Sequence, residues 1–522
     1  MTFKKTSATL TLLATAMFGQ VPDPAKPPTD SWPTYNGDYS GRRFSPLAKI
    51  NASNVDSLSL AWVYRINTGG GFGGAIKATP LVVDGVMYFT IPDHVWAIDA
   101  RTGREIWHYT WESKGGMHIG NRGVGISGNW IFFETPDCHL VSLNAITGKE
   151  RWRKEICDID QMYFGSMAPV IVGNHVIVGV SGDDLDIPGY LESRDSETGD
   201  LQWHWNTTPK AGEPGSETWP NAEAMNHGGG MTWLSSTYDP EMKTIFLGTG
   251  NPQPVIAGKG RKGDNLFTES IVALDVDTGK LKWHFQPSPH DTHDWDAIQT
   301  TVLIDGTIDG QPRKLVAQAS RNGYFFVLDR TTGKNIVTSQ FVKTNWAKGV
   351  DRKGQPIADP AKEPQLDGAL VSPNQGGAAN WPPPSYSPLT ELFYINATRA
   401  FSIYYIYDTD EKPEGWGGND RGGWSESMLE AIDYRTGKVR WSHKWEAAGG
   451  RSGVLSTAGN LVFAGDPANN LVALNATTGD PLWHANLGNG VSNGPISFEL
   501  DGTQYLVVAA GDTMYGFAML RK

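Results

Sequence analysis

Apolar positions along this chain fall in short runs with period-two alternation, punctuated by polar turns and with few helical stretches. Gly85–Ile91, Trp130–Glu134, Thr244–Gly248 and Leu461–Gly465 read as strands. Runs of this kind precede a repeated phrase, small–apolar–Asp/Asn–x–x–Thr–Gly–x–x–x–Trp. It occupies Ala97–Trp107, Ser142–Trp152, Ser193–Trp203, Ala273–Trp283, Val327–Val337, Ala431–Trp441 and Ala473–Trp483, with valine ending the fifth copy. Asn51–Trp62 is a degenerate eighth copy that keeps the leucine and tryptophan but lacks the Thr-Gly.

A strand, a Thr-Gly turn and an alternating run make an antiparallel hairpin. Glycine supplies positive φ at the turn, and a tryptophan at fixed offset buries its ring between neighbouring units. Trp62, Trp107 and Trp152 are spaced by 45 residues, the span of a four-stranded blade. The pattern predicts an all-β protein, a single eight-bladed β-propeller with tryptophan-docking repeats. Its last strand, Thr513–Leu520, closes the ring beside N-terminal material. Inserted loops fill the longer gaps from Trp203 to Trp283 and from Trp283 to Trp441. Two stacked sandwiches are the rival architecture, but sandwich strands rarely share one repeated phrase.

Composition narrows the functional classes. With 44 Lys+Arg against 56 Asp+Glu the net charge is −12, which disfavours nucleic acid as a partner. Hydrophobic residues make up 39% of the chain, with 20 tryptophans, enough for a large core. Residues 1–20 carry Lys4 and Lys5, an apolar stretch from Ala8 to Phe18 and an Ala-x-Ala-like site, the order of a secretory signal peptide. Residues 21–31 read as a leader, and 32–522 as the propeller. No later segment is long and apolar enough to span a membrane. Export implies a periplasmic setting that permits disulfides. The two cysteines, Cys138 and Cys157, come opposite each other if the second hairpin turns at Thr147–Gly148. A cross-strand disulfide and two buried thiols both suit that position.

Candidate chemistry gathers at strand-to-loop transitions. Phe285–Asp296 (FQPSPHDTHDWD) holds Asp291, Asp294 and Asp296 among His290 and His293. Three carboxylates so close suit a hard cation with oxygen ligands or a base beside one. A solvated acidic loop and a histidine-ligated transition metal are the alternatives. Asp183, Asp184 and Asp186 follow another strand, and Asn251 follows a Gly-rich strand end, where an Asx-turn role is the plain expectation.

Several of these segments, namely Trp32–Leu60, the tryptophan phrases, GTGNP, QPSPHDTHDWD, SRNGYFFVLDRTTGK, NWPPPSYSP and GVLSTAGNLVFAGD, occur in family order. Together they resemble the pyrroloquinoline quinone (PQQ)-dependent alcohol dehydrogenases of the methanol/ethanol dehydrogenase type, over roughly residues 32–520. The resemblance implies Asp294 as catalytic base, ionised with help from the metal and from Arg321 near the quinone oxygens. It implies Asp184, Asn251, Asp294 and Asp296 as metal ligands. Asp296 is similar to the extra aspartate of the lanthanide-dependent branch, so a lanthanide(III) ion is expected ahead of Ca²⁺. Trp233 matches the aromatic floor under the cofactor. Arg122 and Ser166 match the positions that hold its carboxylates, Ser181, Gly182 and Asp183 fit the loop beneath it, and Asn380 is a further contact.

The chain also departs from the family pattern. Asp184 stands where glutamate is usual, Gly116-Met117 replace an adjacent cysteine pair, Lys77 replaces a glutamate near PQQ, and Arg451 replaces a tryptophan covering it. Lys77 is suited to pair with a PQQ carboxylate. The implied reaction is oxidation of a small alcohol, with electrons passing to a separate periplasmic cytochrome c because no C-x-x-C-H occurs. A homodimer is one assembly open to it. Two rivals are a non-catalytic binding propeller resembling the outer-membrane assembly lipoprotein, and a PQQ-dependent sugar or polyol dehydrogenase.

Overall fold

A computed structural model of the 522-residue chain describes residues 22–68, 74–182, 186–449 and 452–519. The segment read as a signal peptide, residues 1–20, lies outside the described residues, as do Asp183, Asp184 and Arg451. The protein is all-β as expected, and the one α-helix among the described residues is the short Ala222–Asn226.

Each of the strands read from the alternation is present: Val86–Ile91, Trp130–Glu134, Thr244–Gly248 and Leu461–Gly465. The described residues form eight sheets of four or five strands and a two-stranded hairpin. A representative sheet runs Gly125–Ser127, Trp130–Glu134, His139–Asn144 and Glu150–Glu155, paired antiparallel in that order. The inner strands are almost wholly buried, while the last strand of each sheet alternates with solvent. In His94–Asp99, Val95 through Ile98 are all inaccessible, whereas Glu105–Thr110 has only exposed and half-buried positions.

The Thr-Gly turn and the tryptophan meet between successive sheets. A Cβ placed on Gly148, whose φ is +67°, would lie 2.7 Å from the Trp107 ring, so the turn requires glycine both for its backbone and for the indole pressed on it. Trp107 Nε1 also donates to the carbonyl of Ala145 at 3.0 Å. The same contact links Trp62 to Gly103, Trp152 to Gly199, Trp203 to Gly279, Trp283 to Gly333 and Trp441 to Gly479. In the phrase that ends in valine, Val337 and Ser339 take the place of the ring against Gly437.

An early and a late strand of the described chain are joined. Thr513–Ala518 lies between Thr503–Ala510 and the N-terminal strand Ser59–Arg65, hydrogen-bonded to both. Phe44–Ser45 pairs parallel with Leu455–Thr457, and the buried guanidinium of Arg43 donates to the carbonyls of Tyr35, Val454 and Pro495.

Cys138 and Cys157 form a disulfide, with Cα atoms 5.0 Å apart. They are not opposed in the ladder, however. An irregularity between Glu150 and Trp152 shifts the register by one residue, so the carbonyl of Cys138 accepts from Ile156 instead. Of the inserted loops, the longer gap carries the hairpin Ala347–Val350/Pro356–Ala358 and the extended strands Leu392–Ile406 and Gly418–Asp433. Among the described residues no helix is long and apolar enough to cross a membrane.

Candidate active site

In an antiparallel pair, the start of one strand and the end of the next lie at the same edge. Lys77, Arg122, Ser166 and Trp233 each precede the first strand of a sheet by three or four residues. Ser181, Asn251 and Arg321 follow a second strand by two or three. Repetition of one sheet topology therefore delivers residues far apart in sequence to a common end of the fold. There they surround a cavity of about 290 Å³, lined by Lys77, Arg122, Ser166, Ser181, Gly182, Trp233, Asp294, Asp296, Arg321 and Asn380. Asn251 is 2% exposed and is not on that wall.

The acidic loop is not solvated: Asp291, Asp294 and Asp296 are all buried. Asp291 Oδ2 accepts from the backbone N–H groups of His293 and Trp295, both at 3.1 Å, and its other oxygen faces His293 Nδ1 at 3.8 Å. Those contacts hold Asp291 below the usual carboxylate range even though burial alone pushes it up. Asp291 thus shapes the turn. Trp295 runs into the core, its ring 4.2 Å from that of His293, while Asp294, at φ +64°, and Asp296 turn the other way onto the cavity.

Arg321, at a hairpin tip, joins the two aspartates. Its Nη1 donates to Asp296 Oδ2 at 2.5 Å and its Nη2 to Asp294 Oδ2 at 3.2 Å. Gln375 Nε2 also donates to Asp294 Oδ2, at 3.0 Å. Asp296 Oδ1 accepts from the backbone N–H of Asn251 at 2.6 Å. Burial nevertheless pushes Asp294 up to about 8, outweighing the pull of Arg321, with Asp296 adding repulsion. Asp296 is raised too, again chiefly by burial. Arg321 pulls Asp294 toward the ionised form, the direction the resemblance implies for it. A further cation would act in that direction.

The other wall is aromatic and cationic. The Arg122 guanidinium lies 4.4 Å from the centre of the Trp233 ring and 5.6 Å from that of Trp381. Arg122 Nη1 donates to Ser166 Oγ at 2.7 Å, and Ser166 Oγ and Ser181 Oγ are 2.8 Å apart. Lys77 Nζ donates to the carbonyl of Ile119 at 2.6 Å, and burial lowers its pKa, with Arg122 adding to the effect. Asn380 spans its own turn, donating to the carbonyl of Gly376 and accepting from the N–H of Trp381.

Three participants escaped sequence reasoning: Gln375, Trp381 and Glu134. Buried Glu134 accepts from the N–H groups of Ser166 and Met167 at 3.0 and 2.8 Å and is pushed up to about 8 by burial. A glutamate closing an apolar strand carries no signature of that role; Gln375 stands five residues before the NWPPPSYSP motif, and Trp381 lies within it.

The residues present suit both groups that the sequence resemblance implies. A flat ring system has Trp233 to stack on and Arg122, Ser166 and Lys77 to receive carboxylates. A hard cation has the oxygen donors of Asp294 and Asp296 on the cavity wall, with Asn251 bonded to Asp296 behind them. The raised carboxylates show what such an ion would relieve: negative groups withdrawn from water with one guanidinium between them. Among the described residues no three His, Cys, Asp or Glu side chains form a metal-holding group by themselves.

Comparison with known proteins agrees. Residues 32–365 match the family described as "PQQ: Glucose/ethanol/alcohol dehydrogenase, beta-propeller domain", and residues 425–520 match the outer membrane protein assembly factor BamB. The chain is 38% identical to the quinohemoprotein alcohol dehydrogenase of Comamonas testosteroni, over 94% of this chain and 74% of that protein. Among solved structures, the quinohemoprotein alcohol dehydrogenase ADHIIG of Pseudomonas putida HK5 superposes with TM-score 0.88 at 32% identity, covering 96% of this chain and 82% of that one. A europium-containing methanol dehydrogenase gives 0.85 at 29%, covering 94% and 98%. The chain belongs to the PQQ-dependent alcohol dehydrogenases, β-propeller quinoproteins that are oxidoreductases acting on alcohols.

Proposed function

We propose that this chain oxidises an alcohol to the aldehyde or ketone, with Asp294 as the base that takes the hydroxyl proton and Arg321 fixing the charge beside it. The carrying observation is that Asp294, Asp296 and Arg321 share one cavity of about 290 Å³ with Arg122, Ser166, Ser181 and Trp233. When bound, PQQ supplies the two-electron acceptor and the metal a Lewis acid. Trp233 and Gly182 would flank the quinone, Lys77, Arg122 and Ser166 would hold its carboxylates, and Asn380 would contact its rim. Asn251, Asp294 and Asp296 would hold the metal together with Asp184, and Asp183 would lie beside the cofactor. Burial keeps water from Asp294, which strengthens its response to any neighbouring charge.

A lanthanide(III) ion is favoured over Ca²⁺. The reading is supported by the second carboxylate of Asp296 beside Asp294 and by the similarity to a europium-containing methanol dehydrogenase. The scaffold is a single eight-bladed propeller over residues 32–522, supported by the eight sheets and by the glycine–tryptophan contacts between them. Residues 1–20 would direct export, and the acceptor would be a periplasmic cytochrome c.

The test is dye reduction by the apoprotein supplied with PQQ and either La³⁺ or Ca²⁺, across primary alcohols, secondary alcohols and polyols. Turnover with a primary alcohol is expected, faster with La³⁺. Silence with both metals across the panel would remove the catalytic reading, and faster turnover with Ca²⁺ would reverse the metal assignment.

A further inference from the structure

The segments that carry Arg122, Ser166 and Ser181 meet at Glu134, the last residue of Trp130–Glu134. Its side chain is fully inaccessible. Glu134 Oε2 accepts from the backbone N–H groups of Ser166 and Met167 at 3.0 and 2.8 Å, and the backbone N–H of Gly179, two residues before Ser181, acts on the same carboxyl. The main-chain carbonyl of Glu134 accepts from Nδ2 of Asn121, the neighbour of Arg122, at 2.8 Å. The contact with the Ser166 segment is close: a Cβ on Gly165 would lie 3.0 Å from that of Glu134, so the glycine lets the chain lie against the glutamate. Ser166 passes this placement on. Its carbonyl accepts from the backbone N–H of Arg122 at 3.1 Å and from Arg122 Nη1 at 3.2 Å. Its Oγ accepts from the same Nη1 at 2.7 Å and lies 2.8 Å from Ser181 Oγ. Without the glutamate oxygen, two buried N–H groups would lose their partner, and the chain bearing Ser166 would shift to find another.

We propose that Glu134 is a positioning residue for the cofactor: its carboxyl oxygen fixes Ser166, and through it Arg122 and Ser181, in the arrangement that receives the carboxylates of PQQ. This rests on the cofactor reading above. Glu134 is not on the cavity wall, so it acts through those residues and makes no contact of its own. The role asks for an acceptor and needs no charge, because a carboxyl oxygen accepts from an N–H whether or not the group is ionised. Charge-assisted hydrogen bonds to a carboxylate depend steeply on distance and angle. A receptor already in place spares the bound state the cost of ordering it.

The experiment measures PQQ binding to the full-length apoprotein, with La³⁺ and separately with Ca²⁺, by quenching of tryptophan fluorescence. Wild type is compared with Glu134→Gln, Glu134→Ala and Glu134→Met at a temperature where melting curves show each folded. Glu134→Gln keeps an oxygen for the two N–H groups and should stay within about threefold of wild type. The two acceptor-free variants should weaken PQQ by about 10- to 100-fold, the range for removing a group that orients the ligands of a metal. That loss should shrink in a Ser166→Ala background, where less is left to orient. Dye reduction at saturating PQQ should fall by less than the affinity does. Unchanged affinity in the acceptor-free variants, an equal loss in Glu134→Gln, an undiminished loss beside Ser166→Ala, or turnover falling as far as affinity would overturn the proposal while leaving the cofactor reading intact. Failure of both acceptor-free variants to fold would make Glu134 part of the scaffold and overturn it too. Wild type that takes up no PQQ with either ion would overturn both.

Discussion

Arg321 holds Asp296 more closely than it holds Asp294: the two contacts, both from its guanidinium, measure 2.5 and 3.2 Å. One aspartate is tied into the frame, through Arg321 on one oxygen and Asn251 on the other. The second shares its arginine with Gln375 and is the freer to accept a proton. Replacing Arg321 by glutamine should therefore lower kcat by about 10²- to 10³-fold, the usual cost of removing a preorganised charged donor, with PQQ still bound. Dye reduction at saturating cofactor and metal measures it; a loss of only a few-fold would take Arg321 out of the reacting centre.

Asp294→Asn removes the base but keeps size and one acceptor oxygen. Turnover should be lost while cofactor absorbance persists. If PQQ binding disappears instead, Asp294 is a structural member of the cavity wall.

How far the sequence disclosed the fold depends on which contacts are local. The Thr-Gly–Trp phrase was readable because a glycine and a tryptophan such as Gly148 and Trp107 constrain each other at a fixed offset in most units, and strands such as Trp130–Glu134 and Thr244–Gly248 fall where the alternation put them. The pairing of Phe44–Ser45 with Leu455–Thr457 joins segments with no shared pattern. The one-residue shift at Glu150/Trp152 has no compositional mark either. In the site, motif-borne turn residues such as Asp294 and Arg321 line the cavity, whereas Glu134, which differs from a surface glutamate only in burial, gave no signal in the sequence.

Gly148→Ala tests the turn. A side chain at φ +67° is strained, and its Cβ would press on the Trp107 ring. A loss of about 1–3 kcal/mol is expected in denaturant unfolding, and a neutral result would mean that the indole moves aside freely.

Glu430 predicts a pH dependence of stability. Buried in Gly418–Asp433 with Oε2 unpartnered among the described residues, it is pushed by burial from 4.5 up to about 8. A raised carboxylate means that the folded chain holds a proton that the unfolded chain has already lost. Stability is full below about pH 4.5 and falls as pH rises toward about 8, by up to roughly 1.4 kcal/mol per pH unit. Glu430→Gln should flatten that slope, so its melting temperature should gain on wild type between about pH 5 and pH 8. Parallel curves would show that Glu430 keeps an ordinary pKa.

The strand Ser59–Arg65 has its partner in Thr513–Ala518, at the far end of the chain. During synthesis the early segment must wait, edge open, until Thr513–Ala518 has been made, so this ladder closes late. Deleting the final strand should loosen the start of the chain as much as its finish. A circularly permuted version, cut at an outer turn such as Gly310 and fused through its old ends, should keep the whole ladder.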